Sequence, residues 1–198
     1  MKNILPFALG LWGVVVLFQC QAPSRERFSP EEEKTYLSRG KQIAEASFAV
    51  LSGALTGAIA QKGVPGAVEY CHLKALPLMD SLAEAHRVIL KRVSQKARNM
   101  VDAPDSLENV LLEAYAAQKA RGDSLRPQLT RLPAGKVLFT APILLKPLCL
   151  NCHGLPQKDI APATLAQIQQ KYPQDQAIGY RVGDLRGMWA ITFFEKPR

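Results

Sequence analysis

The amino-acid sequence predicts an α+β fold with a mostly antiparallel sheet. Three observations carry this. Long helix-forming stretches come first, and short β-branched or apolar runs follow, with short helical segments inserted among them. No Gly-rich phosphate loop is present, because the glycines between 53 and 66 fall within a helical stretch and at its end. The chain has 198 residues, 47% of them apolar, enough for one domain with a real core.

Residues 1–20, MKNILPFALGLWGVVVLFQC, have a positive start at Lys2 and an apolar run from Ile4 to Phe18. The run is short for a membrane span and suits a signal-peptide core. Cys20 follows directly, with Leu17 three residues before it, as in bacterial lipoprotein signals where the cysteine is lipidated. Gln19 stands where a small residue is usual. The expected organisation is a signal peptide over 1–20, a polar linker over 21–29 and one folded domain over 30–198. The expected location is the periplasm, either free or held to the membrane surface through Cys20.

Ser29-Pro30-Glu31-Glu32 is a helix start, with Ser29 as cap, Pro30 at the first helical position and Glu32 closing a capping box. The helix should stop at Gly63. A short helix over 65–77 should end at Pro77. Residues 86–95 (HRVILKRVSQ) read as a strand. Residues 102–122 read as a helix, acidic early and basic late, with Gly122 behind it. Residues 135–145 read as one bent strand or a pair, 161–173 as a short helix, and 180–195 as a hairpin turning near Gly183-Asp184.

The net charge is +8, but the basic residues are scattered and not interleaved with aromatics, so a nucleic-acid face is not expected. Chemistry concentrates in KPLCLNCHGLP, residues 146–156. Cys-x-x-Cys-His is the attachment signature of c-type haem. Two residues between the thiols let both sulfurs reach vinyl groups on one porphyrin edge, and the next residue offers its imidazole to the iron. Cys149 and Cys152 would be the thioether residues and His153 the proximal ligand, with Gly154 letting the chain turn away without a side-chain clash. The same letters serve zinc sites and redox dithiols. Zinc would need Cys71 or His72 to complete the set. A thioredoxin-type dithiol should open a helix inside a βαβ unit, and none is visible. Candidates for a second axial ligand are Cys71, His72, His86, Met79, Met100 and Met188. Cys71 and His72 stand out chemically, although adjacent helical residues point in different directions. The methionines read most simply as core.

Beyond this motif, GAVEYCHLKALPLMDS (66–81), LKRVSQKARNMVDAPDSLE (90–108), APILLKPLCLNCHG (141–154) and YRVGDLRGMWAITF (180–193) occur in an order that resembles a bacterial family of exported haem-binding domains. That family was long catalogued as a domain of unknown function. The similar blocks span most of residues 32–195, with Asp102 where Asn is usual. The resemblance implies a PAS-like antiparallel sheet with a long N-terminal helix and flanking helices. It implies one haem c, with His153 and Cys71 as an axial His/Cys pair and His72, where Asn is common, as the alternative to Cys71. Arg92, Arg98 and Asn99 would be structural residues or contacts of the haem propionates. The cyanobacterial members imply redox or gas sensing.

A periplasmic electron carrier without a signalling role is the competing expectation, because no output domain is recognisable in the chain. An enzyme such as a peroxidase is not expected, since a filled sixth position leaves no place for peroxide. The expected partner is a redox or signalling protein of unspecified identity.

Overall fold

The computed structural model describes residues 27–194. The expected signal peptide, most of the linker and Cys20 lie outside the described residues.

Helix α1, Pro30–His86, opens as anticipated. Ser29 Oγ accepts from the Glu32 amide at 3.2 Å, and the Glu32 carboxylate accepts from the Ser29 amide at 3.1 Å. Gly63 breaks the helix with φ 68° and ψ 178°, a left-handed φ that a side chain would strain. The break is only a kink, however. The chain resumes helical form at once and runs through Pro77 to His86, where Arg87 ends it at φ 53°. Pro77 therefore does not stop the helix, contrary to expectation. The turn beyond it places Met79 in the core with Leu82 and Ala83 packed alongside, and that burial offsets the lost backbone hydrogen bond.

Strand β1 (Val88–Val93) leads to α2 (Ser106–Ala120), which Asp105 and Glu108 close in a second capping box. Then come β2 (Gln128–Arg131), β3 (Val137–Leu144), the single-turn helix α3 (Leu150–His153), α4 (Pro162–Lys171) and β4 (Leu185–Phe193). The sheet order is β1-β4-β3-β2 and every pairing is antiparallel. An α+β fold built on an antiparallel sheet, with a long N-terminal helix, is what the molecule has.

Two local expectations fail. Residues 180–184 form a turn, with no first arm of a hairpin, and β4 instead pairs with β1 and β3. Strand β2 was not anticipated, since four residues bounded by Pro127 and Pro133 are too short to display a period of two. Residues 135–145 hold one strand, β3, irregular between Ile143 and Leu144. Pro142 is tolerated there because β2 pairs no farther than Thr140, leaving that side of β3 open.

Successive residues alternate between two cores. On one face Val88, Leu90, Val137, Phe139, Trp189, Ile191 and Phe193 pack against Tyr36, Ile43, Ala44 and Met79 of α1. On the other, Val93, Leu138, Met188 and Ala190 meet Leu112 and Tyr115 of α2. A third, smaller cluster joins Val68, beyond the kink of α1, to Ile160 and to Ile168 of α4. Thus α1 bridges the sheet and the segment that separates β3 from β4, and that segment carries the cysteine pair.

Candidate functional site

Where β3 ends, a 3-10 turn over Pro147–Cys149 runs directly into α3. Cys149, Cys152 and His153 consequently lie three and four residues apart on continuous helical backbone and share one face. The turn is fastened by the returning chain: the Gly179 amide donates to Gly154 O at 2.8 Å and the Tyr180 amide to His153 O at 3.0 Å. Gly154 has an ordinary φ of −74°. It is needed for space, because a Cβ would collide with the Asp159 side chain and the Leu150 carbonyl.

His153 Nδ1 lies 2.7 Å from the Ala177 carbonyl oxygen. A carbonyl can only accept, so Nδ1 carries the hydrogen and Nε2 presents a bare lone pair, the form a metal-binding histidine takes. Burial pushes the imidazolium well below the usual histidine range, and the charges of Arg98 and Arg186 push it in the same direction. The Tyr180 ring stands edge-on to the imidazole, with centroids 6.4 Å apart.

Arg98 ties the site together. Its guanidinium donates to Cys152 O at 2.5 Å and Ala177 O at 3.3 Å, and it pairs with Asp175 at 3.1 Å. Both partners of this pair are nearly buried, with side chains 13% and 7% exposed. Asn99 caps the following 3-10 turn, its side chain accepting from the Val101 amide at 3.3 Å.

The alternatives for a further ligand separate clearly in position. Cys71 is half-buried and feels the charges of Arg92 and Arg98, which oppose the upward shift that burial imposes on its thiol. Cys71 is close enough to Cys152 to help raise its thiol, after burial. His72 is exposed and points its ring edge-to-face at Tyr172, 5.0 Å between centroids. His86 terminates α1 at the opposite end of β1 from Arg92. Met79 and Met188 are core residues as expected, but Met100 is 45% exposed in a 3-10 turn.

Two competing readings of the motif find no support in this arrangement. Among the described residues no three His, Cys, Asp or Glu side chains are grouped to hold a metal. The antiparallel sheet contains no βαβ unit among the described residues, and burial raises the Cys152 thiol, the reverse of an activated dithiol.

The geometry also meets the needs of a tethered flat macrocycle. The most apolar 18-residue window of α1 is only 22% buried. Within that helix Ser47 is fully buried, and its Oγ has no hydrogen-bond partner. Cys71, Cys149 and Cys152 are free thiols, with no disulfide joining them. Two thiols and a bare imidazole nitrogen on one turn, with the Arg98 guanidinium beside them, are a donor set that fits a porphyrin with acidic side chains.

Four contributors were not evident in the sequence: Asp175, Ala177, Tyr180 and Arg186. Ala177 acts only through its carbonyl, so no side-chain pattern could reveal it. Asp175 and Arg186 become recognisable only when the fold brings them to Arg98 and Ser94.

No curated protein matches the chain. Its structure is similar to the crystal structure of the cyanobacterial heme-protein Tll0287, with a TM-score of 0.57 and 25% sequence identity over 84% of this chain and 96% of that one. The family model described as Tll0287-like matches residues 24–193, and with the four-stranded antiparallel sheet and long helix in place, the chain belongs to the Tll0287-like family.

Proposed function

We propose that this chain is a c-type haem protein of the cell envelope that senses redox state or a diatomic gas. Similarity to a cyanobacterial heme-protein supports the cofactor class. The observation that carries the reading is the single helical turn that presents Cys149, Cys152 and the bare Nε2 of His153 together, with His153 oriented by Ala177. In this reading Cys149 and Cys152 hold one haem through thioether bonds, and His153 and Cys71 are its axial residues. The haem, when bound, supplies one-electron chemistry and an affinity for carbon monoxide and nitric oxide.

Cys71 is the moving part. As thiolate it would favour ferric over ferrous iron. As protonated thiol it would be a weak ligand, so uptake of a solvent proton by this sulfur would leave its position open. Burial already raises the Cys71 thiol, which assists the protonated form. Cys71 lies on α1 beyond the Gly63 kink, and α1 packs against the sheet on both sides of it, through Tyr36, Ile43 and Ala44 before and Met79 after. A displacement of Cys71 would therefore be passed to residues packed on the sheet. Export to the periplasm, with or without lipid at Cys20, completes the proposal, since c-type haem is attached outside the bacterial cytoplasm.

The test is a pyridine haemochrome and absorption spectrum of wild type and Cys71→Ala, produced in a host that attaches haem to cysteines. Wild type should contain one thioether-bound haem and bind carbon monoxide only after reduction, while Cys71→Ala should show an altered ferric spectrum. Colourless wild type overturns the haem assignment. Unchanged ferrous spectra under carbon monoxide overturn the switch and favour a plain electron carrier.

A further inference from the structure

Tyr172 ends α4, and its backbone is held on both sides. Its amide donates to Ile168 O at 2.8 Å, and its carbonyl accepts from the Asp175 amide at 2.9 Å. Asp175 is the partner of Arg98, which in turn holds Cys152 O. The segment that carries Tyr172 is thus tied to the turn that carries the cysteine pair.

The Tyr172 side chain lies against α1. Val68, Cys71 and His72 follow the spacing i, i+3, i+4 and occupy one face of that helix. Tyr172 packs on the cluster that contains Val68, as Cys152 does. Its ring meets the His72 ring edge-on, with centroids 5.0 Å apart. Contacts with both Val68 and His72 bring the phenol to the face that Cys71 shares. The Tyr172 hydroxyl feels the charge of Cys71 more strongly than those of Arg98 and Asp102. Tyr172 is half-buried, and burial pushes its hydroxyl up to about 12. That hydroxyl has no hydrogen-bond partner among the described residues. A phenol withdrawn from water favours an acceptor, and leaving it without one is costly.

We propose that Tyr172 is a positioning residue for Cys71, its hydroxyl donating a hydrogen bond to the Cys71 sulfur when that sulfur holds the haem iron. The inference rests on the haem reading above and adds the group that governs how much charge the sulfur gives the metal. No covalent bond is made or broken, and the hydroxyl keeps its proton. A hydrogen bond to a ligating sulfur draws charge away from the iron and makes reduction easier.

The test uses haem-loaded wild type and Tyr172→Phe, which keeps the ring and removes only the hydroxyl. Resonance Raman scattering in H2O and D2O reads the iron–sulfur stretch. Spectroelectrochemistry at one pH reads the ferrous-to-ferric ratio at a fixed potential. Wild type should show a stretch that shifts in D2O. In Tyr172→Phe that isotope shift should vanish, the stretch should rise in frequency, and the ferrous-to-ferric ratio should fall about three- to tenfold. A variant that matches wild type in both measurements overturns the proposal. A lower ratio with the isotope shift retained also overturns it, because loosened packing alone would do that. Should Tyr172→Phe fail to take up haem, wild type and Asp102→Asn decide. An isotope shift in both supports the phenol as donor, and its absence from either overturns the proposal. Haem-loaded wild type without an iron–sulfur band overturns it by removing Cys71 as a ligand, and colourless wild type by removing the haem reading itself.

Discussion

The Nδ1 of His153 and the carbonyl oxygen of Ala177 lie 2.7 Å apart, although 24 residues separate them. The contact fixes which ring nitrogen carries the hydrogen; burial keeps the ring neutral against the weaker opposing pull of that hydrogen bond, and a pH dependence follows. Burial and nearby arginines place the folded-state pKa well below the reference value of 6.5. The unfolded chain therefore takes up the proton first. The stabilising contribution is complete above pH 6.5 and declines as pH falls below it, by about 1.4 kcal/mol per pH unit. Urea midpoints of the haem-free protein at pH 7 and pH 5 measure this. Asp102, raised by burial, works in the opposite direction, so the comparison is with His153→Gln, whose midpoint should fall less over the same interval.

Arg98 serves two carbonyls and one carboxylate. Arg98→Ala leaves Asp175 buried without its counter-charge and should lower unfolding stability by about 3–5 kcal/mol. Arg98→Lys should recover only a minor part, because an ammonium cannot reproduce the fork. Equal stability of Arg98→Lys and wild type in chemical denaturation would contradict the role given to the guanidinium geometry.

Gly154→Ala places a methyl against Asp159 and the Leu150 carbonyl. The expected loss is about 1–3 kcal/mol, concentrated in the loop that carries the motif. Hydrogen exchange should therefore show faster amide exchange over residues 149–160 than over β3 and β4. Uniform protection across both regions would mean that the loop yields without strain.

If Cys71 holds the iron as proposed, Cys71→Met would replace a thiolate by a neutral thioether and should raise the midpoint potential by on the order of 0.2 V. His72→Ala, altering an exposed ring against Tyr172, should leave potential and spectrum unchanged. The reverse pattern would transfer the axial role to His72.

Much of this arrangement was legible in one dimension. The Ser29 cap, the acidic-to-basic run of α2 and the β-branched run of β1 each carry a local signal, and each forms where that signal stands. The Cys149–His153 spacing is equally local, since one helical turn suffices to express it. The failures share a physical origin in tertiary packing. Pro77 reads as a stop until Met79 is seen to be buried, and β2 is too short to advertise itself. The segment 180–184 looked like half a hairpin because the true partners of β4, β3 and β1, lie far upstream in the sequence. The site divides similarly, with Cys71 suggested by its chemistry and by resemblance, while the carbonyl of Ala177 leaves no mark on the sequence.

Strand β4 is the later-made half of two pairings, being flanked by β1 on one side and β3 on the other. A ribosome delivers residues 149–153 well before residues 185–193. The thiols and imidazole therefore precede the middle rung of the ladder in any end-to-end delivery of the chain, including passage through a membrane channel. In the proposed exported haem protein, attachment would thus be easiest on a chain still lacking its final strand and hardest once that strand has slotted home.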